Sequence, residues 1–311
     1  MRGRTTRTMK LQGSTAGLRV MLHPRYAAQI SPAYDQTMPE ETQVLRPNAV
    51  TSRANARVKQ LRGAFGGLGR LSGGLVGIEG EHLLEEAVRS GVVLKTVFVR
   101  EGWAVPDFVP RGVEELRLSE EVFAGVMETR TPQGVAALVV PPVWGMERLM
   151  AGVPLIVVAV GLQDPGNLGT LLRSAEAFGA SGMVTTPGTV SAWNGKAVRA
   201  SVGSVFRLPV VSAGVDAVRA MKERGVRVLA AVGEGVGSEV VTEVGQFDLT
   251  PGVAILVGNE GAGLGAEWLA IADERVTVPC VGTVESLNAG VAGSVMLYEA
   301  MRQRVRVGVR D

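Results

Sequence analysis

Cysteine and histidine are nearly absent from this 311-residue chain, which holds one cysteine, Cys280, and two histidines, His23 and His82. A single cysteine excludes an internal disulfide framework, and two distant histidines leave no spacing suited to a metal ion. The same scarcity disfavours a hydrolase that depends on a Ser-His-Asp or Cys-His arrangement. The composition therefore points away from zinc chemistry and from triad chemistry, and we expect no bound metal.

Long apolar runs are also missing. The longest, at residues 153–162, is too short to span a bilayer, so we expect a soluble protein without a membrane partner. The content of 46% hydrophobic and 20% charged residues is that of an ordinary globular protein, and the length favours about two domains.

Acidic side chains are scarce at the amino end. The first 34 residues have none, and residues 1–70 hold 12 Lys and Arg against 3 Asp and Glu, a net charge of +9, whereas residues 71–311 carry −7. Such an arm suits a polyanion such as RNA, and a solvated basic tail explains it equally well. The composition is that of an organellar transit peptide, although a native start at Met38 predicts the same pattern. We expect residues 1–50 to form a disordered extension.

The next segment alternates strand and helix signals. Strands are predicted at residues 75–78, 94–99 and 135–140, and helices at residues 55–61, 81–90 and 120–127. This order suggests βαβ units. Residues 63–74 are rich in glycine, and Pro141-Pro142 precedes a connector at residues 144–150. We predict a first domain at residues 51–143 and a second at residues 150–311.

The second domain alternates in the same way. Strands are predicted at residues 155–160, 182–185, 226–231, 253–257 and 275–278, and helices at residues 170–178, 215–224 and 289–304. Continuous apolar strands separated by helices predict an α/β fold, a parallel sheet with helices on both faces.

Three polar loops follow strands of this sheet. The first, Asp164-Pro165-Gly166-Asn167, opens a helix in which Asn167 is predicted to be the cap and Arg173 lies about one and a half turns further on. By itself this pattern is explained by ordinary capping and a solvated arginine. An always-charged guanidinium at the mouth of a sheet nevertheless suits a phosphate or carboxylate ligand.

The other two loops are glycine-rich or polar. Gly258-Asn259-Glu260-Gly261 follows one strand, and Ser286-Leu287-Asn288 follows another, with Ser286 or Asn288 predicted to cap the last helix. Gly261, Gly263 and Ala266 also fit a relaxed dinucleotide fingerprint, with Glu285 19 residues further on, but too little chain remains to build such a domain. All three loops are expected at the carboxyl ends of strands, where open α/β sheets bind ligands.

These three segments resemble the signature motifs of the SpoU-type, or TrmH-like, RNA ribose 2′-O-methyltransferases of the SPOUT superfamily. The segment from Lys196 to Gly203 also matches that family, and the resemblance covers about residues 52–306. It implies a catalytic domain with a C-terminal trefoil knot, S-adenosylmethionine as cofactor and a homodimer with the active site at its interface. It also implies that the smaller N-terminal α/β domain binds the RNA substrate, because that domain resembles ribosomal RNA-binding proteins.

The resemblance assigns roles by motif position. It implies catalytic roles for Asn167, Arg173, Glu260, Ser286 and Asn288, and cofactor contacts for Gly258, Val278 and Leu287. We predict that Arg173 clamps a phosphate of the target nucleotide, because a guanidinium is a costly base at neutral pH. Glu260 is expected to tie down the glycine loop. The cations predicted to contact RNA are Arg53, Arg57, Lys59, Arg62, Lys196 and Arg199.

The predicted activity is methylation of a ribose 2′-hydroxyl in structured RNA, with ribosomal RNA favoured. The alternatives are a transfer-RNA methyltransferase, a non-catalytic RNA-binding factor on the same fold and a nucleotide-dependent oxidoreductase. A cytoplasmic location is expected, or an organellar one if the acid-poor amino end is a transit peptide.

Overall fold

The computed structural model describes residues 49–65, 74–233, 240–283 and 286–308. The basic extension up to residue 48, most of the glycine-rich segment and Glu285 lie outside the described residues. The described chain forms two β-sheets, one of four strands and one of seven.

The first sheet is mixed rather than a simple βαβ arrangement. Its elements are α1 (Ala56–Phe65), β1 (Val76–Glu79), α2 (Glu81–Arg89), β2 (Leu94–Arg100), β3 (Glu114–Leu118), α3 (Glu120–Ala124) and β4 (Val135–Val139). The strand order is β1-β4-β2-β3, and β4 runs antiparallel to both of its neighbours. All five residues of β4 are buried, so this strand takes a central place and separates β1 from β2. The sequence prediction missed β3, an edge strand with three charged residues.

The second sheet is entirely parallel, as predicted. Its elements are α4 (Met146–Leu149), β5 (Leu155–Ala159), α5 (Pro165–Ala177), β6 (Gly182–Thr185), α6 (Gly195–Ser201), β7 (Val210–Ser212), α7 (Val215–Glu223), β8 (Arg227–Ala231), β9 (Thr242–Glu243), β10 (Val253–Val257), α8 (Ala266–Ile271), β11 (Glu274–Thr277) and α9 (Ala289–Val307). The strand order is β7-β6-β5-β10-β8-β11-β9. Short β7 and β9, and helices α4, α6 and α8, were not predicted, because so few residues give no clear periodicity.

Alternate residues of the central strands face two different apolar layers. Val157 and Ile255 belong to the core cluster that includes α5 and α9, whereas Val158 and Leu256 belong to the cluster that includes α7 and α8. Because successive side chains of a strand point to opposite faces, this division covers both faces of the sheet with helices. The prediction of helices on both faces is confirmed.

Helix α5 begins earlier than predicted. Asp164 is the N-cap, its Oδ1 accepts a hydrogen bond from the backbone N–H of Asn167 at 2.9 Å, and Pro165 occupies the first turn. The prediction that Asn167 caps this helix is therefore wrong, since proline at the first helical position fits a start at residue 165. Arg173 consequently lies about two turns inside the helix.

A buried arginine near the carboxyl end of helix α9 binds the segments that precede β5 and β10. Arg304 is 5% exposed, and its guanidinium donates hydrogen bonds to the carbonyl oxygens of Val153, Pro154, Leu249 and Pro251. These carbonyls lie just before the first residues of β5 and β10. No helix in the described part of the chain is long and apolar enough to cross a membrane.

Candidate active site

A cavity of about 610 Å³ opens at the carboxyl ends of β8, β10 and β11. Its walls come from the predicted second and third loops and from the first turns of α9. The lining residues are Ala231, Val232, Gly233, Val257, Gly258, Asn259, Glu260, Gly261, Ala262, Gly263, Leu264, Leu269, Thr277, Val278, Cys280, Ser286, Leu287, Asn288, Ala289, Ala292 and Met296. All three residues predicted to contact the cofactor are among them, and the volume is in the usual range for a small-ligand site.

Asn259 holds the glycine loop after β10. The backbone groups of Asn259 and Gly263 exchange two hydrogen bonds, of 3.1 and 2.9 Å. The Asn259 side chain accepts from the N–H groups of Gly261 and Ala262 and donates to the carbonyl of Gly161. Asn259 suits this task because an amide offers both donors and an acceptor. The predicted role of Glu260 in tying down the loop stays a prediction, which its hydrogen bond with Asn167 supports.

Gly258 makes the loop possible. A Cβ atom at this position would lie 2.5 Å from the carbonyl carbon of Gly263 and 2.8 Å from the nitrogen of Leu264. Any side chain would therefore push the returning backbone away from the cavity wall. The bare backbone at this place, with apolar Val278 and Leu287 across the same cavity, suits a flat adenosine group. The residues present thus fit the cofactor that the sequence predicts.

A chain of hydrogen bonds connects the three predicted loops. Asn288 Nδ2 donates to Asn167 Oδ1 at 2.9 Å, and Asn167 Nδ2 donates to Glu260 Oε1 at 2.6 Å. Each amide is oriented by this chain, so the carboxylate of Glu260 keeps its other oxygen for a further donor. The structure therefore brings together three of the five residues predicted to be catalytic, of which Glu260 and Asn288 line the cavity.

The third loop ends in a helix cap, as predicted. Asn288 Oδ1 accepts from the backbone N–H of Val291 at 3.2 Å, so this side chain caps α9 while its Nδ2 binds Asn167. A Cβ atom on Gly290 would lie 3.2 Å from the Asn167 carbonyl, which shows how closely α9 approaches the start of α5. Ser286 lines the cavity and is exposed.

Arg173 is not brought to this cavity. It lies six positions after Asn167 on α5, about 120° away around the helix, and it is exposed. Among the described residues, none forms a hydrogen bond or an ion pair with its guanidinium. Its charge is available to a ligand outside the cavity of the same chain.

Asp164 and Lys196 form an ion pair beside the start of α5. The Nζ atom of Lys196 lies 3.1 Å from Asp164 Oδ2. The N–H of Asn167 and then the Lys196 ammonium lower the pKa of the Asp164 carboxyl below its usual range. The carboxylate therefore stays ionised in its capping role across the neutral range.

The predicted RNA-binding cations fall into two groups. Four of them already have carboxylate partners: Arg53 with Glu121, Arg57 with Glu114, Lys196 with Asp164 and Arg199 with Glu128. Lys59 and Arg62, on α1, are exposed and have no carboxylate partner in the described part of the chain. No cluster of three metal-ligating side chains occurs among the described residues.

A parallel α/β sheet with a cavity at the carboxyl ends of its strands is the architecture of an α/β ligand-binding protein. The model of the SpoU rRNA methylase family matches residues 154–298, and that of the MRM3-like substrate binding domain matches residues 55–137. The chain is 38% identical over 223 residues to the 23S rRNA (guanosine(2553)-2′-O)-methyltransferase RlmP of Bacillus subtilis, covering 71% of this chain and 86% of that protein. The chain belongs to the SpoU rRNA methylase family.

Further similarity supports this assignment. The chain is 31% identical over 269 residues to a 23S rRNA (uridine(2479)-2′-O)-methyltransferase of Streptomyces viridochromogenes, covering 82% of this chain and 92% of that protein. The structure of the SpoU methyltransferase AviRb from the same organism, solved with S-adenosylmethionine, gives a TM-score of 0.72 at 29% identity and covers 81% and 98% of the two chains. The family depends on this cofactor, so this chain is an S-adenosylmethionine-dependent RNA methyltransferase.

Proposed function

We propose that this chain transfers the methyl group of S-adenosylmethionine to a ribose 2′-hydroxyl of ribosomal RNA. The observation that carries the proposal is the hydrogen-bond chain from Asn288 through Asn167 to Glu260, which borders a cavity fit for the cofactor. Two domains divide the work, with residues 51–143 binding RNA and residues 150–311 performing the transfer. The activity of the related RlmP supports a ribosomal substrate.

The cofactor would be held by Gly258, Val278 and Leu287, whose backbone and apolar side chains line the cavity. When bound, it supplies an electrophilic methyl group on a sulfonium. The asparagine at the cavity rim, Asn288, and the hydroxyl of Ser286 orient the incoming ribose by hydrogen bonds. Because methyl transfer needs an in-line approach, such orientation supplies a large part of the rate.

Arg173 binds the phosphate next to the target ribose. Its exposure and its lack of a carboxylate partner among the described residues support this role. A fixed positive charge near the 2′-hydroxyl lowers the pKa of that hydroxyl and stabilises the oxyanion that develops as the proton leaves. The carboxylate of Glu260 is held by Asn167 and serves to orient that amide.

The second copy of the chain brings Arg173 and the cavity together. Because Arg173 points away from its own cavity, the active site is complete only in a homodimer. An exposed apolar stripe on α9, formed by Val291, Val295 and Tyr298, supports this assembly. Burial of such a stripe against a second copy would remove apolar area from water. We also infer that the carboxyl-terminal segment containing α9 forms the trefoil knot that the family resemblance implies.

The proposed ribosomal RNA substrate bears on the cellular compartment of the chain. We infer that the chain acts in the cytoplasm, as its similarity to a bacterial ribosomal enzyme supports. The acid-poor composition of the first 34 residues supports import into an organelle instead. Fractionation of a tagged full-length chain separates the two locations.

Methyl transfer to ribosomal RNA tests the proposed function. The full chain is incubated with labelled S-adenosylmethionine and either ribosomal or transfer RNA, and the modified positions are mapped. Arg173→Ala should lower transfer about 10³-fold and leave cofactor affinity unchanged, because one charge that stabilises a transition state is lost. Arg224→Ala, at an exposed arginine that ends α7, is the matched control.

Each other outcome selects an alternative. Transfer to transfer RNA alone would make the chain a transfer-RNA enzyme. RNA binding without any transfer would make it a binding factor. Binding of NAD without S-adenosylmethionine would contradict the proposal altogether.

A further inference from the structure

The two sheets share one apolar core across their boundary. Leu84 and Ala87 of α2 belong to the same continuous cluster of buried side chains as Val205 and Phe206, which follow α6. Domains joined only by a connector are expected to move relative to one another. A continuous core instead opposes such motion, because separation would expose apolar surface to water.

Arg207 connects α2 of the first sheet to α5 of the second. Its Nη1 lies 2.6 Å from Glu86 Oε2 and 3.1 Å from the hydroxyl of Ser90, both in or just after α2. On its other side, its Nη2 lies 3.1 Å from Glu176 Oε2, and its Nε also donates to the Glu176 carboxylate. One guanidinium therefore holds two helices, and one of them carries Arg173.

The carboxylate of Glu176, which binds Arg207, is stabilised in its ionised form by its surroundings. Burial raises the pKa of Glu176, but the hydrogen bonds from Arg207 and Ser204 outweigh it, so the pKa of this carboxyl lies below its usual range. The side chain of Glu86 is only 14% exposed. Planar, two-sided binding of carboxylates is a geometry that arginine provides and lysine does not.

A second ion pair joins the sheets at α6. Arg199 Nη1 lies 2.8 Å from Glu128 Oε2. The segment that holds Glu128 is itself fixed, because the buried carboxylate of Glu79, at the end of β1, accepts from the N–H groups of Glu128 and Thr129. Arg199, which the sequence predicted to contact RNA, is thus committed to a partner in the first domain.

Two glycines leave room for side chains of the first domain. A Cβ atom on Gly203, which has φ of +85°, would lie 2.7 Å from the Cβ of Glu86. A Cβ atom on Gly195 would collide with the Glu128 carboxylate. The backbone at Gly195 and at Gly203 therefore lies directly against side chains of the first domain.

From these contacts we infer that Arg207 and Arg199 form an interdomain clamp, which fixes the distance between the RNA-binding domain and the helix that carries Arg173. The inference rests on the proposed function. Arg207 and Arg199 are positioning residues in this role: they hold the RNA-binding domain in place, so that one ribose of the bound RNA, and not its neighbours, meets the transferred methyl group. The clamp is thereby a determinant of site selectivity.

Arg207→Gln tests the clamp. We expect kcat for ribosomal RNA to fall by about tenfold to a hundredfold, because small errors of position are costly in methyl transfer. Cofactor affinity, measured by calorimetry, and RNA affinity should stay within about twofold, since neither the cavity nor Lys59 and Arg62 is touched. Mapping should reveal new methylation at neighbouring nucleotides. Arg219→Gln, which removes an exposed pair with Asp216 within α7, is the matched control.

Interdomain distance gives a readout independent of activity. Spin labels at Glu101→Cys and Glu223→Cys, in a Cys280→Ser background, report the separation of the two domains. Arg207→Gln should broaden the distance distribution and Arg219→Gln should not. A narrow distribution with wild-type kcat and unchanged methylation sites in Arg207→Gln would overturn the clamp.

Exchanging the charges of the Arg199–Glu128 pair distinguishes a role of Arg199 in the clamp from a direct contact with RNA. Arg199→Glu alone should reduce selectivity, and the double exchange Glu128→Arg with Arg199→Glu should restore it at unchanged net charge. If the double exchange does not restore selectivity and the interdomain distances are those of the wild type, Arg199 contacts RNA and is not part of the clamp. If the wild-type chain methylates no RNA, the proposed function fails, whereas the distance measurements still decide whether the domains are clamped.

Discussion

The cofactor side of this molecule, which is the wall of the cavity, and its proposed RNA side, which is formed by exposed cations, are built in opposite ways. Around the cavity, Asn259, Asn288 and Asn167 are engaged in hydrogen bonds with other loops. On the proposed RNA side, Lys59 and Arg173 are exposed and have no partner in the part of the chain that the structure describes. The described cavity wall is thus held by contacts within one chain, whereas these two cations are available to the phosphates of a polyanion.

This difference shows where preorganisation is needed. A cofactor of fixed shape is bound best by a rigid wall, because no free energy is then spent on ordering loops. Phosphates of RNA are met by long side chains with a charge at the tip, which adapt to the backbone of the ligand. Substitutions on the two sides should therefore differ in kind as well as in size.

Among substitutions on the cofactor side, the largest effect is expected at Gly258. Gly258→Ala places a methyl group 2.5 Å from the Gly263 carbonyl carbon and so displaces the loop. We expect the dissociation constant for S-adenosylmethionine, measured by calorimetry, to rise at least about a hundredfold, since a rigid wall cannot yield cheaply. Gly265→Ala in the same loop, where a Cβ atom meets nothing within 4 Å, is the control and should bind normally. Equal affinities of the two variants would contradict the rigid wall.

The next largest effect is expected at Asn288. Asn288→Asp keeps an oxygen to cap α9 but loses the donor to Asn167. We expect transfer to fall about 10–100-fold in single-turnover assays, while the melting temperature stays close to that of the wild type. Asn288→Ala removes both contacts and should also cost about 1 kcal/mol of stability. Unchanged turnover in Asn288→Asp would show that the hydrogen-bond chain is not used in transfer.

A smaller effect is expected from the exposed cations of α1. Lys59→Gln with Arg62→Gln should lower the slope of log affinity for RNA against log salt concentration by about 2, because two phosphate contacts are lost. Arg53→Gln with Arg57→Gln should change the slope less, since those guanidinium groups already bind Glu121 and Glu114. Filter binding at several salt concentrations measures both slopes, and identical slopes would refute this division of the cations.

The smallest effect, on the free energy of unfolding, is expected at Glu176 of α5. This helix carries both Asn167 and Arg173. The pKa of Glu176 is lowered in the folded chain, so its contribution to stability is present above its unfolded pKa and is lost as the pH falls through the folded pKa. Glu176→Gln should therefore cost about 1 kcal/mol at pH 7, and this difference should vanish in acid. Urea unfolding at pH 7 and at a series of acidic pH values measures it. A difference that does not shrink as the pH falls would indicate lost packing instead of lost charge.

Sequence patterns predicted the second sheet better than the first. Its central strands are continuous apolar runs, so their positions were found to within a residue or two. The position of β4 between β1 and β2 depends on pairing between distant segments, which local periodicity does not record. The start of α5 was misplaced because Asn167 looked like a cap, although Asp164 and Pro165 already supplied the start signals.

The site was predicted largely from motif order. The cavity residues Gly258, Val278 and Leu287 lie together as the resemblance implied. Asn259 was missed as the residue that holds the loop, although asparagine is a turn residue whose side chain binds the backbone two positions further on, as it does here with Gly261. The pairing of Arg199 with Glu128 could not be predicted, since it joins residues of two domains across 71 positions.

The four carbonyls held by Arg304 have a consequence for the order in which the second sheet forms. They flank the first residues of β5 and β10, so the anchor forms only after both strands stand side by side. Arg304 therefore stabilises the pair of strands rather than either strand alone, and its loss would leave the carbonyl oxygens at two strand starts unsatisfied.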